Sequence, residues 1–547
     1  MTDKLWCADC GDGTYRNPVL MCDYSDPDVI RVGDTYYLTA STFNYVPGLP
    51  ILTSKDLVNW TLVNYALPNI PDPRYAVPCH AQGVWAPAIR YHEGRFYIYY
   101  GMPDEGIFMV SAEDALGQWE PPVCVLSGKG LIDPCPFWDD DGSAWVVHGY
   151  AKSRIGFKSI LGLFPMSRDG KRAIGDDHLI FDGQRTQPTI EGPKMYKRNG
   201  LYYIFAPAGG VATGWQTVLR SSSIHGPYEE KIVLKQGSTV VNGPHQGGWV
   251  TAPNGEDWFL HFQSRGLYGR ITHLQPMHWE EDGWPSMGVK DEHPVDPTTV
   301  KAGEDAGEAA VAAASTECGV PVMRYKKPAA PEQPVTSEQA SDSFTGEKLG
   351  LQWQFMGNWR QDFFAVGDGK LKLYARKLPA GGDTLWDAPQ VLTQKIACPA
   401  FTVDTGVDVT ALQPGGQAGL ALIGGQYAGI AIRVDENGLQ MDYILSKSVN
   451  HAETVYETVV LPKNAHHVSL RMTLVPTGYD QAEAVFSFSL DGQTYQTLGT
   501  PFSPERGTWV GARPSLFAVP LHGGENAGCA VFDAFCVTPA AVYPFDE

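Results

Sequence analysis

DVIRVGDTYYLTAS, residues 28–41, is an apolar run, a polar turn at Gly33, and a second run rich in aromatic and β-branched residues. That pattern predicts a β-hairpin with turn chemistry at its tip. Outward from it the same unit returns as AIRYHEGRFYIYYG (88–101), PFWDDDGSAWVVHGY (136–150), KMYKRNGLYYIFAP (194–207) and WVTAPNGEDWFLHFQ (249–263), with turns at Gly94, Gly142, Gly200 and Gly255. A paired-strand repeat of roughly 40–60 residues marks a propeller, and five copies predict five blades. SKDLVNW (54–60), SAEDALGQWE (111–120) and SSSIHGPYE (221–229) follow three of the hairpins and predict the start of the outer part of a blade. A long sandwich or a non-repeating barrel is the alternative for such a strand-rich chain.

The innermost strand of a blade lines the central channel, so the residues just upstream of each hairpin converge there. Four units carry a proline at this point: Asp26-Pro27, Trp85-Ala86-Pro87, Asp133-Pro134 and Glu191-Gly192-Pro193; the fifth reads Gly243-Pro244-His245. Taken as equivalent, these positions offer Asp26, Trp85, Asp133, Glu191 and His245 to one pocket. A lone Asp before Pro is ordinarily a turn cap. Three carboxylates in register, with a Trp and a His in the other two blades, point to chemistry instead. Cleavage of a glycosidic bond needs one carboxylic acid to protonate the leaving oxygen and one carboxylate to activate water or attack carbon. A third carboxylate nearby raises the acid's pKa and positions the pair, and a Trp face packs on a sugar ring.

Bulk properties narrow the rest. With 547 residues, the chain exceeds a single ordinary core, so two large domains are expected. The 59 Gly, 41 Pro and 11% aromatic residues favour short strands and tight turns, an all-β protein. A net charge of -20 argues against nucleic acid or an anionic membrane surface as a partner. The opening MTDKLWCADCGDG shows no signal-peptide pattern and no apolar stretch is long enough to span a bilayer, so a cytoplasmic location is expected. Ten scattered cysteines are too dilute for a disulfide framework, and the lone Cys7-x-x-Cys10 lacks the second pair a zinc site needs.

The stretch NPVLMCDYSDPDVIRVGDTYYLTASTFNYVPGLPILTSKDLVNW (17–60) closely resembles the opening of glycoside hydrolase family 43. So do GVWAPAIR (83–90), LIDPCPFWDDDG (131–142), IEGPKMYKRNGLYYI (190–204) and GRITHLQPMHWEEDGWPSMG (269–288). The resemblance implies a five-bladed propeller and an inverting mechanism. It implies Asp26 as the general base, Glu191 as the general acid, and Asp133 as the residue that tunes and orients the acid. It also implies that Arg270 reaches back to the site and that His245 sits near the channel axis, where relatives hold a water or a structural calcium ion; no cofactor is required. Phe43 and Trp85 are expected to touch substrate. Where relatives read N-P-D-P-S this chain reads Ser25-Asp26-Pro27-Asp28. Asp26 keeps the spacing to the hairpin, while Asp23, Asp28 and Asp34 read as turn or surface acids, and Asp139, Asp140 and Asp141 as the solvated turn after Asp133.

Residues 301–340 are rich in Ala, Pro, Glu and Ser and read as a linker between a catalytic propeller, 1–300, and a second domain, 341–547. In the second domain FTVDTGVDV (401–409), AGLALIGGQYAGIAIRV (418–434), HVSLRMTLV (467–475) and AVFDAFCVTP (530–539) alternate as strands of a jelly-roll-like β-sandwich. This half resembles the domain appended to the β-xylosidase and α-L-arabinofuranosidase branch, which in those relatives lends a loop to the pocket rim. An independent sugar-binding module or a mere stabiliser is the other reading of it.

The expected activity is therefore exo-hydrolysis of terminal α-L-arabinofuranosyl or β-D-xylosyl residues, with arabinose- or xylose-containing oligosaccharides as the partners. A retaining propeller hydrolase or fructosyltransferase, with the first-blade Asp as nucleophile, is the alternative enzyme. A non-catalytic sugar-binding propeller is the alternative outside catalysis, although a binder has no use for three acids in one pocket.

Overall fold

The computed structural model describes residues 5–294, 307–436, 438–521 and 524–540. Five four-stranded antiparallel sheets follow one another, each in simple chain order, which makes them the blades of a propeller. Their first strands are Asp28–Val32, Trp85–His92, Leu131–Trp138, Lys194–Arg198 and His245–Thr251. Each turns into its neighbour at one of the five glycines singled out above. All five have positive φ, between 63° and 87°, which a side chain would resist and glycine adopts freely. The three outer motifs lie between the third and fourth strands of their blades. In the first, the buried Asp56 accepts the backbone N–H groups of Val58 and Asn59 and fixes the corner.

The ring is tied at both ends of the propeller sequence. Leu20 pairs with Thr272 of the fifth blade, and the Asn17 side chain bonds both Leu274 and Val322. Across the channel, the buried Asp28 of blade one accepts from Arg90 of blade two at 2.6 Å. Arg90 also donates to Cys135 of blade three and lies 5.3 Å over the Tyr196 ring of blade four. Asp28 is thus a fully buried structural acid and not the surface residue its place beside a turn suggested. Asp34 alone of that group is exposed, paired with Lys55.

The connecting segment is more ordered than its composition predicts. Arg324–Lys326 pairs antiparallel with Thr14–Arg16. The helix Gly307–Ser315 sets Ala310 and Ala313 into the core of the third and fourth blades. Lys235 caps its C-terminal carbonyls, where the helix dipole favours a cation. Beyond it two antiparallel sheets, of seven and eight strands, form a β-sandwich. Short strands such as Gln354–Phe355 and Leu392–Thr393 escape a reading by alternation because two residues carry no period. All ten cysteines are free thiols.

The sandwich is seated on the propeller by direct bonds. Val46 bridges to Phe355, Asn44 donates to the Met356 carbonyl at 2.7 Å, and Tyr268 donates to that of Pro399 at 3.0 Å. Arg513 stacks 3.7 Å over Tyr45. Removing the acid that binds Arg90 strands a buried guanidinium, so Asp28→Ala should cost about 3–5 kcal/mol of stability. Urea unfolding of the full chain measures it, and a change near zero would mean that the cross-channel pair does not hold the blades.

Candidate active site

The first strands do not begin regularly. Asp26 (φ 53°), Ala86 (25°), Asp133 (56°), Gly192 (57°) and Gln246 (33°) all sit in left-handed backbone, at the mouth of their blades. In three blades the pairing register shifts at this point, between Trp85 and Ala88, Ile132 and Cys135, and His245 and Gly247. This β-bulge is the true equivalent position around the ring. It offers Asp, Ala, Asp, Gly and Gln. Trp85, Glu191 and His245 lie one residue earlier, level with Ser25 and Ile132. The three carboxylates therefore meet without being strictly equivalent. Asp26 and Asp133 reach in from the bulge itself, while Glu191 reaches from the step before it with a side chain one methylene longer.

Asp26 is 3% exposed and ringed by donors. Its Oδ2 accepts from Ser25 Oγ at 2.7 Å and Ser41 Oγ at 2.6 Å, and its Oδ1 from Arg270 at 2.8 Å. Ser41 in turn accepts the Ala86 N–H, so the second blade helps to aim an acid of the first. Arg270 opens the third strand of the fifth blade, Arg270–Trp279, and also bonds Ser25. Asp133 is 2% exposed; its Oδ2 accepts the Gly192 N–H at 2.8 Å and faces Gln246 Nε2 at 3.4 Å. Burial, and then the charges of Glu191 and Asp26, push Asp133 up to about 8, against the opposing pull of the buried Lys194. Glu191 is the accessible member, with 28% of its side chain exposed, and its Oε1 stands 2.8 Å from Nε2 of the buried His245.

These groups floor a cavity of about 620 Å³, in the range of ordinary small-ligand sites. One wall is aromatic. Trp85 lies 6.5 Å from Phe43 and 4.6 Å from Trp509, whose ring is also 5.9 Å from Phe43. Trp509 belongs to the sandwich and has φ 65°, a strained setting for a tryptophan. Two residues on, the Gly511 N–H bonds Asp23 Oδ2 at 2.9 Å, and a Cβ on Gly511 would meet Tyr268 backbone at 2.8 Å. The facing wall carries Tyr150, Lys152 and Lys158 of blade three. Tyr150 is held from behind by Asp177, which also bonds His148.

Phe43, Trp85, His245 and Arg270, read from the sequence as site residues, are thus brought together with the three acids. The sequence reading missed Ser41, Gln246, Tyr150 and Trp509. Gln246 was findable, since it occupies the bulge position of blade five; Trp509 lies in a domain that carries no repeat. Asp23 is buried, not superficial, and its two oxygens clamp the N–H groups of Arg270 and Gly511. Asp139 is held by Lys197 and Tyr202, while Asp140 and Asp141 are solvated as expected. Among the described residues no three His, Cys, Asp or Glu side chains stand together to hold a metal ion. His245 contacts the Glu191 carboxylate and the Phe262 ring.

Residues 15–285 match the family model for glycosyl hydrolases family 43, and 341–538 that for the β-xylosidase C-terminal concanavalin A-like domain. A protein of Xylanibacter ruminicola is 37% identical over 93% of this chain and 87% of its own length. The chain belongs to glycoside hydrolase family 43. Among other family 43 relatives, a β-xylosidase of Formosa agariphila is 32% identical over 96% of this chain and 91% of its own. A non-reducing end α-L-arabinofuranosidase of Bacteroides ovatus is 29% identical, over 86% and 80%. The solved xylan β-1,4-xylosidase of Bacillus halodurans shares the fold, with TM-score 0.78 at 24% identity over 96% of this chain and 99% of its own.

Two outcomes follow for this family 43 site. Folded Asp133 keeps its proton up to about pH 8, whereas in the unfolded chain it releases it near pH 4. Its stabilising contribution is therefore full below about pH 4 and lost as the pH rises through about 8. Asp133→Asn should flatten that decline in denaturation midpoints taken from pH 4 to 9; parallel curves would contradict it. Trp509→Ala opens the aromatic wall and should raise KM about tenfold, a loss of roughly 1.4 kcal/mol of binding, with kcat less affected.

Proposed function

We propose that the protein removes single β-D-xylosyl or α-L-arabinofuranosyl residues from the non-reducing ends of pentose-containing oligosaccharides, with inversion. The observation that carries this is the inequality of the three acids. Asp26 is held in one orientation by three donors while its carboxylate borders the cavity, which suits it to take a proton from an attacking water: the general base. Glu191 is the acid exposed to the cavity, with Oε1 taken up by His245 and Oε2 left to face the glycosidic oxygen: the general acid. Asp133 lies on the cavity floor but is 2% exposed; it fixes the Gly192 backbone next to Glu191 and acts as a positioning and tuning group. Protonation of the leaving oxygen by Glu191 and attack of the water activated by Asp26 pass through an oxocarbenium-like transition state. In that state the Arg270–Asp26 pair and the aromatic wall hold the ring in place, which is where positioning lowers the barrier.

Exo action is supported by the shape of the site. Phe43, Trp85 and Trp509 close one side of the cavity, which favours entry of a chain end over passage of a polysaccharide. The substrate choice is supported by the relatives, which are named for both sugars. A retaining mechanism has no comparable support, since family 43 enzymes invert. A purely binding role leaves the buried acids unexplained.

Glu191→Gln should reduce turnover of xylo- and arabino-oligosaccharides at least about a thousandfold while sparing aryl glycosides whose leaving groups need no proton. Equal loss on both substrate types would remove Glu191 from the acid role. Proton NMR of the first product should show the inverted anomer, and the retained anomer would overturn the mechanism.

A further inference from the structure

The propeller channel has a second mouth, on the face opposite the acids. There the hairpin ends of all five first strands enclose a cavity of about 490 Å³ that shares no lining residue with the catalytic one. The Asp28–Arg90 pair stands among these first strands, inside the channel. The far cavity is walled by rings, chiefly Tyr91, Trp138, Tyr196 and Trp249. Three of them have their polar edges bonded within the protein. Trp138 Nε1 donates to the Arg168 carbonyl at 2.9 Å, Trp249 Nε1 to Asp257 at 2.7 Å, and Tyr196 Oη accepts the Trp249 N–H at 3.0 Å. His92 lies flat on Trp138, with planes 11° apart and centroids at 4.6 Å. Tyr91, at the lip, is 44% exposed.

Rings fixed by their edges present faces, and a face already held in place loses little entropy when a ligand stacks on it. The lip supplies hydrogen-bonding groups: Lys197 is paired with Asp139 and Asp140, and Arg31 donates to the carbonyls of Thr251 and Gly33. With a chain charge of -20, a polyanion is disfavoured here. Aromatic faces with a polar rim suit the apolar faces and hydroxyls of neutral sugars. We infer that this far mouth is a second carbohydrate site, which holds a neutral xylan-type chain by stacking on Tyr91 and Trp138. The inference rests on the reading of the protein as a pentosidase. Its benefit is retention: the enzyme stays on a branched or insoluble substrate while the catalytic pocket, on the opposite face, works on other chain ends.

Affinity electrophoresis of the full chain through gels carrying arabinoxylan, with xylose and arabinose added in excess to fill the catalytic pocket, tests it. The native protein should be retarded, and Tyr91→Ala and Trp138→Ala should each weaken the apparent affinity about tenfold. Tyr91→Phe should keep it, and kcat/KM on 4-nitrophenyl pentosides should be unchanged in all three. No retardation of the native protein, retardation of Tyr91→Ala equal to native, or retardation by polygalacturonate in place of arabinoxylan would overturn the inference. Should Trp138→Ala fail to fold, the exposed Tyr91 carries the test alone. Failure of the native protein to cleave any pentoside would instead overturn the functional reading, and the gel would still report on the far mouth.

Discussion

The ion pair between Arg270 and Asp26 is the interaction on which the rest of the molecule depends. It joins the fifth blade to the first at 2.8 Å, and so closes the propeller at the same point where it aims the proposed base. The backbone N–H of Arg270 bonds Asp23, and the other oxygen of Asp23 receives Gly511 of the sandwich, two residues from Trp509. Ring closure, orientation of a carboxylate and docking of the second domain are thus one continuous hydrogen-bonded network. A buried pair of this kind is costly to desolvate, and the donors of Ser25 and Ser41 around Asp26 offset part of that cost.

The same site stores backbone strain. Left-handed φ recurs at Asp26, Phe43, Ala86, Asp133, Thr189, Gln246 and Trp509, all of which line the catalytic cavity. Each such residue costs about 1–3 kcal/mol and persists only where its surroundings over-determine it. Here the left-handed residues are the means by which strands that would otherwise alternate in and out turn consecutive groups into one space. Without them a blade could offer the pocket a single residue; with them the fourth blade presents Glu191 and the N–H of Gly192 together, the latter on Asp133.

The sandwich contributes to the wall of the candidate site. It supplies one of three aromatic rings in the wall, and Arg506 from the same loop is close enough to Arg270 for that charge to add to the burial that lowers its pKa. The rigidity of this arrangement comes from the bridges at Val46, Asn44 and Tyr268, which leave the loop little freedom relative to the propeller.

The sequence alone determined the five hairpins, because period-two alternation and left-handed glycines at the turns are local properties, and with them the convergence of Asp26, Asp133 and Glu191 on one axis. It also determined Arg270 and His245, through resemblance, and the strand-rich second half. Tertiary structure decided what depends on register and on long-range contact. The bulge moved the equivalent position by one residue, from Trp85, Glu191 and His245 to Ala86, Gly192 and Gln246, which no pattern of residue types reveals because the chemistry and the backbone geometry sit on adjacent positions. It placed Asp23 and Asp28 in the interior, where their partners, Gly511 and Arg90, come from parts of the chain that an Asp in a turn gives no sign of. It brought Trp509 to Trp85 across more than 400 residues, since a side chain's neighbours in another domain are fixed only when the two surfaces meet.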